Sequence, residues 1–200
     1  MDQPVEAIDT EYVTELRNKR LGLSDTVYAQ IRRFSEASRR GIRTSRDETA
    51  AIARLLSRRD DAELVFRAAG RHLARATFAT LPSATKGVLV ALPGLFTRPI
   101  ALRRLRKLAE RYLGGEVKRV GGFVYLTVPD AVITENEEGD PGAVYYETAF
   151  REYAALLVGA SGAVDRTRSA ARGGVYEWRA AWRAASPAER RALRAAAARG

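Results

Sequence analysis

Two short stretches in the middle of the chain, residues 116–120 and 123–128, constrain the fold more than any other feature. In the second stretch Val124, Leu126 and Val128 alternate strictly with Phe123, Tyr125 and Thr127. A period of two residues is typical of a β-strand that lies on a core. Residues 121–122 are both glycine and suit a two-residue turn. The pattern therefore predicts an antiparallel hairpin.

One predicted helix precedes this hairpin and another follows it. The first covers residues 99–113, with Pro99 suited to the first turn and two glycines as the stop. The second covers residues 142–158 and carries aromatic side chains at helical spacing. Two closing strands are predicted over residues 163–170 and 175–182. This order predicts an α+β fold, in which helices pack on an antiparallel sheet of about four strands in two hairpins.

The N-terminal part of the chain adds an extra helical segment to this fold. Helices are predicted over residues 9–19, 24–40 and 46–57. Ser45 and Glu48 precede the third with the S-x-x-E spacing of a capping box. The predicted division is an N-terminal helical segment over residues 1–58, an α+β domain over residues 59–183 and a C-terminal basic helix over residues 184–200.

The composition excludes several classes of site. The chain has no cysteine, so disulfides, zinc–thiolate sites and thiol nucleophiles are excluded. The first residues are acidic and polar, unlike a signal peptide, and no stretch reaches the roughly 18 to 20 apolar residues of a membrane span. We therefore expect a soluble, cytoplasmic protein. The net charge of +10 favours an anionic partner, although abundant arginine and alanine are also typical of a GC-rich genome.

Catalytic and metal-binding patterns are missing from the sequence. His72 is the single histidine, and on an apolar helical stripe a hydrogen-bonded core role is more common than catalysis. No serine elbow, phosphate-binding loop or dinucleotide fingerprint occurs. The acidic loop over residues 134–142 lacks the spacing of a calcium loop and is predicted to be a solvated turn. The sequence therefore predicts a non-enzymatic protein with no metal, no cofactor and no catalytic residue.

The order of the elements, together with scattered residues, carries a family resemblance over residues 60–182. Those residues are Gly70-Arg71, Pro99, Ala101-Leu102, Leu105, Val128-Pro129, Asp140-Pro141, Tyr145-Tyr146, Gly159-Ala160 and the closing stretch 175–182. At these positions the chain resembles an uncharacterised family of proteins about 200 residues long, which is abundant in myxobacteria. That family is in turn distantly similar to 4-vinyl reductase domains, haem/nitric-oxide-binding-like domains and the small subunits of the TRAPP trafficking complex.

The resemblance implies an α+β fold with an interior cavity that takes hydrophobic small molecules in relatives. It implies no catalytic residue. The 4-vinyl reductase domains carry cysteines near the final hairpin, about where Ser169 and Glu177 stand here. Because this chain lacks those cysteines, the resemblance implies no metal-linked role for it.

We therefore expect a protein that binds or senses a hydrophobic small molecule, or acts as a scaffold for a protein partner or a second copy, through an apolar cavity between sheet and helices. Such a cavity needs aromatic and aliphatic walls. The candidate lining residues are Phe78, Leu89, Leu92, Phe96, Tyr146, Phe150, Tyr153, Trp178 and Trp182. An equally weighted interpretation makes all of them ordinary core.

Two alternatives remain open at the sequence level. A nucleic-acid-binding protein would use the arginine-rich N-terminal helices, through Arg32, Arg33, Arg39, Arg40, Arg43 and Arg46. The most apolar segment, residues 82–96, is predicted to be a buried short helix, and it would otherwise form a pocket wall or meet a partner chain. With its basic neighbours, residues 87–96 of that segment would associate with an anionic membrane surface, a less favoured alternative.

Overall fold

The computed structural model describes residues 32, 33, 36, 40, 45–92, 94–134, 140–158, 164–168 and 175–181. The helix predicted over residues 9–19 and the predicted basic helix over residues 184–200 lie outside the described residues. The helix predicted over residues 24–40 lies largely outside them.

Four strands form one antiparallel sheet. Its strands are β1 (Glu116–Val120), β2 (Phe123–Pro129), β3 (Val164–Arg168) and β4 (Val175–Ala181). Their order across the sheet is β1-β2-β4-β3, and every neighbouring pair is antiparallel. Val120 pairs with Phe123 across the predicted glycine turn, where Gly121 has a positive φ of 57°. The predicted α+β fold with its four-stranded antiparallel sheet is confirmed.

The alternation in the strands determines which side of the sheet faces the core. Val124, Leu126 and Val128 of β2 are buried, and Leu126 and Val128 lie opposite Trp178 and Tyr176 of β4. Cross-strand neighbours of this kind lie about 5 Å apart and pack directly on each other. The apolar face predicted from the sequence is therefore the face that the helices cover.

Five α-helices are described. They are α1 (Arg46–Ser57), α2 (Ala62–Ala79), α3 (Ser83–Ala91), α4 (Gly94–Leu108) and α5 (Ala143–Val158), and a π-helical turn (Ala109–Leu113) extends α4. The predicted capping box precedes α1: Glu48 N–H donates to Ser45 Oγ, and Ser45 N–H donates to the Glu48 carboxylate. These hydrogen bonds lower the pKa of Glu48.

Helices α2 and α5 pack closely because a glycine lies where they meet. A Cβ atom on Gly70 would lie 2.6 Å from the carbonyl oxygen of Tyr145 and 3.0 Å from the nitrogen of Ala149. Real side chains do not approach a neighbouring backbone so closely. Only glycine at this position lets α2 approach α5 at this distance, and the two helices cover the aromatic interior.

Two local predictions were wrong. Helix α4 begins at Gly94, so Pro99 lies inside the helix rather than in its first turn. Proline lacks an N–H and removes a hydrogen bond there, but packing of the helix on its neighbours outweighs this local penalty. Asp140 of the acidic loop is buried rather than solvated, and it accepts a hydrogen bond from Gly142 N–H at 2.7 Å. The neighbouring residues 135–139 lie outside the described part.

Candidate functional site: a basic groove between two helices

Four of the predicted lining residues lie in the interior between the sheet and α5. Tyr146, Phe150, Tyr153 and Trp178 are all buried. The ring of Trp178 stacks on Tyr146 with centroids 5.4 Å apart and on Tyr176 at 5.7 Å. In the described residues these side chains pack on one another as parts of a single core cluster.

This aromatic interior also contains polar atoms. Ile133 N–H donates to the Tyr146 hydroxyl oxygen at 3.3 Å. The hydroxyls of Tyr145 and Tyr176 and the Trp178 indole N–H have no hydrogen-bond partner among the described residues. Burial raises the pKa of Tyr145 and Tyr146 above the ordinary tyrosine value. The interior therefore holds neutral phenols at physiological pH.

The remaining predicted lining residues are only partly gathered with the first four: Leu89 belongs to the same core cluster and Phe78 is packed against it. Leu89 is fully buried, and Phe78 is partly buried with the Lys86 ammonium 5.7 Å from its ring centroid. Leu92 and Phe96 are exposed at 40% and 60% of their surface. Trp182 lies outside the described residues. The structure thus divides the predicted set between a packed interior and the region of α3 and α4.

A groove of about 380 Å³ lies between α3 and α4. Its lining residues come from one face of each helix: Ala84, Thr85 and Val88 from α3, and Ile100, Arg103, Arg104 and Lys107 from α4. Steps of three and four residues place side chains on the same helical face, so both contributions are continuous stripes. The groove combines an apolar floor with three cationic side chains.

The sequence around these cations contains no acidic residue, and no ion pair joins Arg103, Arg104 or Lys107 to a carboxylate within the described part of the chain. Between Glu63 and Glu110 the chain has no aspartate or glutamate. The same stretch carries Arg67, Arg71, Arg75, Lys86, Arg98, Arg103, Arg104, Arg106 and Lys107. The groove is therefore formed entirely by an acid-free segment and attracts anions. The absence of aspartate and glutamate from this segment is visible in the sequence. The predicted binding site was based on the apolar residues of the segment and did not take that absence into account.

Arg104 connects the groove to the aromatic interior. Burial raises the pKa of Tyr153 to about 12, and the positive charge of Arg104 opposes part of that rise. An opposite charge influences a titrating group appreciably only when it is close to it. Arg104, which lines the groove, therefore lies close enough to the buried phenol of Tyr153 for its charge to act on it.

The arginines of the nucleic-acid alternative are partly paired. Arg32 forms an ion pair with Glu36 at 3.2 Å, and Arg46 pairs with Asp130 and donates to its carbonyl oxygen. Arg33 and Arg40 are exposed. Arg39 and Arg43 lie outside the described residues. A phosphate would have to compete with a carboxylate at two of the four arginines whose surroundings are described.

Histidine and carboxylate side chains form no group of three suited to a metal ion in the described part of the chain. His72 is half-buried on α2. Among the described helices, none is both long and apolar enough to cross a membrane.

Comparison of the chain with models of known protein families, with curated proteins and with solved structures finds no match. The resemblance to the myxobacterial family and to 4-vinyl reductase domains therefore stays a prediction. The groove has to be interpreted from its own geometry and charge.

Proposed function

We propose that this protein is a non-enzymatic binder of an anionic amphiphile, a small molecule with an apolar body and a negatively charged head. The apolar body lies on Val88 and Ile100, and the head meets Arg103, Arg104 and Lys107. The ligand is of the hydrophobic class expected from the sequence, but its site is the α3–α4 groove rather than the aromatic interior. The observation that carries the proposal is the combination of apolar floor and unneutralised cations.

The size of the groove supports a small-molecule ligand. Ligand sites commonly enclose roughly 300 to 1,000 Å³ and combine an apolar lining with a few polar groups that fix orientation. At about 380 Å³ the groove lies at the lower end of that range. A ligand of modest size therefore suits it better than a bulky cofactor.

The charge of the groove supports an anionic head. Hydrogen bonds to charged groups contribute about 1.5–3 kcal/mol each, more than bonds between neutral groups. A carboxylate can accept from a guanidinium through two parallel bonds, which also fixes its orientation. A neutral apolar molecule would leave three cations of the groove without a counter-charge, so we expect it to bind more weakly.

The test is a fluorescence titration with cis-parinaric acid and with its uncharged methyl ester. We expect the acid to bind more tightly than the ester. The double variant Arg103→Ala/Lys107→Ala should weaken binding of the acid by about tenfold or more and leave the ester nearly unaffected. Both residues are exposed, so the variant should fold normally. Arg104 is left intact because it lies near Tyr153.

The matched control is Arg71→Ala/Arg75→Ala, which removes the same charge from exposed positions of α2 outside the lining set. It should leave binding of the acid within about twofold, since neither residue lines the groove and exposed charges that do not contact the ligand are weakened by ordinary salt. Equal binding of acid and ester would contradict the proposal. An equal loss in the control variant would also contradict it, because binding would then follow net charge alone.

A further inference from the structure

The stripe of α4 that lines the groove continues beyond it toward the start of the helix. Phe96 precedes Ile100 by four residues and Arg103 by seven, which places all three on one helical face. Leu92, the residue directly after α3, follows Val88 by four residues, and its N–H donates to the Val88 carbonyl oxygen at 3.1 Å. Leu92 and Phe96 thus lie beyond the lining residues of the groove, at the end where α3 is followed by α4.

These two side chains are exposed, although most of the aromatic side chains in the described part of the chain are buried. Phe96 exposes 60% of its surface and Leu92 exposes 40%, whereas Phe66 and Phe150 are fully buried. Exposed apolar side chains at one end of a surface whose remainder is cationic form an amphipathic pattern. That pattern is typical of proteins that lie in the interfacial region of a membrane, with apolar side chains inserted and cations at the headgroups.

The charge distribution favours an anionic lipid surface over other partners. Helices α3 and α4 carry six cations and no carboxylate, namely Lys86, Arg98, Arg103, Arg104, Arg106 and Lys107. A duplex nucleic acid would attract these cations but would offer little to an exposed phenylalanine and leucine. An anionic bilayer satisfies both features, because each basic residue near its surface strengthens binding and each inserted apolar side chain adds to it.

We propose that the α3–α4 face docks peripherally on an anionic lipid bilayer, with Phe96 and Leu92 inserted at the interface and Arg103, Arg104 and Lys107 on the headgroups. Insertion of the apolar side chains and attraction of the cations to anionic headgroups act together, since stable peripheral binding requires two such contributions. This docking goes beyond the binding of a ligand in the groove, since it depends on Phe96, which does not line the groove.

The test is co-sedimentation of the full chain with vesicles of phosphatidylglycerol and phosphatidylcholine, and with vesicles of phosphatidylcholine alone. We expect the protein to pellet with the anionic vesicles, and much less with the zwitterionic ones. Phe96→Ser should lower the apparent affinity by about tenfold or more. Arg103→Ala and Lys107→Ala should each lower it by about fivefold, and added salt should weaken binding further.

Arg71→Ala/Arg75→Ala is again the matched control for net charge, and its affinity should change by less than that of Arg103→Ala/Lys107→Ala. Equal pelleting with both kinds of vesicle, or unchanged pelleting of Phe96→Ser, would overturn the proposal. A random DNA duplex is titrated in parallel. Tighter binding to the duplex than to the vesicles, with loss of that binding in Arg103→Ala/Lys107→Ala, would identify the face as a nucleic-acid surface and would also overturn it.

The docking and the groove ligand can fail separately. Phe96→Ser should bind cis-parinaric acid without vesicles as the natural chain does, since Phe96 is outside the lining set. Vesicle binding without binding of the free acid would support docking and contradict the groove ligand. Binding of the free acid without vesicle binding would support the groove ligand and contradict the docking.

Discussion

The aromatic interior and the α3–α4 groove have similar apolar side chains, yet one is closed and the other is open. In the interior, Tyr146 and Trp178 stack with no exposed surface. In the groove, Val88 and Ile100 remain half-buried beside three cations. The apolar content of an element therefore does not decide whether it forms core or binding surface. The neighbouring element and the charges on it decide that.

The two regions differ in the residues that lie where their helices meet. At the interior, Gly70 removes the side chain that would hold α2 away from the backbone of α5. At the groove, the face of α4 that meets α3 carries Arg103, Arg104 and Lys107. Burying these charges without partners would cost several kcal/mol each, so α3 cannot close onto this face. Water or an anion has to solvate the cations.

The largest expected effect comes from removing the ring at the centre of the interior. Trp178→Ala should lower the free energy of unfolding by about 3–5 kcal/mol, because it leaves a large cavity among packed rings. Phe96→Ala removes an aromatic ring from the exposed end of the groove stripe and should change stability by about 0.5 kcal/mol or less. Urea denaturation of both variants measures the difference. Similar losses in the two variants would break the distinction between closed interior and open groove.

A smaller effect is expected from adding a single methyl group to two helical glycines. Gly70→Ala should destabilise the protein by about 1–3 kcal/mol, because the new Cβ meets the backbone of α5. Gly87→Ala on α3 meets no atom within 4 Å and should stabilise the protein by about 0.5–1 kcal/mol. Thermal unfolding of the two variants should show shifts of opposite sign. Destabilisation by Gly87→Ala would contradict the open space around Gly87 and would indicate close packing on the groove side of the molecule.

A dependence of stability on alkaline pH is expected in addition to these effects of substitution. Burial raises the pKa of Tyr153 to about 12, while tyrosine in an unfolded chain titrates near 10. The folded state therefore holds this proton more tightly. Its stabilising contribution is complete below pH about 10 and is lost as the pH rises from about 10 toward 12. Tyr145 and Tyr146 add to the loss in the same direction.

Urea midpoints between about pH 8 and pH 11 measure this dependence. Tyr153→Phe should reduce the slope above pH about 10, because the phenol that titrates in the unfolded chain has been removed. An unchanged slope in this variant would show that the hydroxyl of Tyr153 is solvated in the folded protein, in which case it would belong to the groove rather than to the interior.

Local patterns were sufficient to predict the sheet and the position of the core. The alternation in β2 identifies its buried face without reference to any other element, because a period of two residues places alternate side chains on opposite sides. Ser45 and Glu48 likewise predict the start of α1, since a capping box forms within four residues. The stripe on α5 predicted that Tyr146, Phe150 and Tyr153 lie together, and all three are buried.

The binding surface was not predictable in the same way. Leu92 and Phe96 were assigned with Trp178 to one cavity because they are apolar, but their exposure depends on how α3 and α4 meet. The start of α4 at Gly94, ahead of Pro99, also depended on packing against its neighbours rather than on local preference. Without that start, Phe96 would not lie on the helical stripe of Ile100 and Arg103.

The sequence by itself determined the strands, the buried faces and the acid-free segment between Glu63 and Glu110, because each of these depends on neighbouring residues along the chain. The tertiary structure decided that Val88 and Ile100 line a cationic groove, while Leu89 of α3 and Leu105 of α4 join the residues of α5 and β4 in a closed core. The physical reason is that the burial of a side chain depends on which element lies opposite it. Cations that need solvation favour an open groove between α3 and α4, whereas Gly70 lets α2 and α5 pack closely on each other.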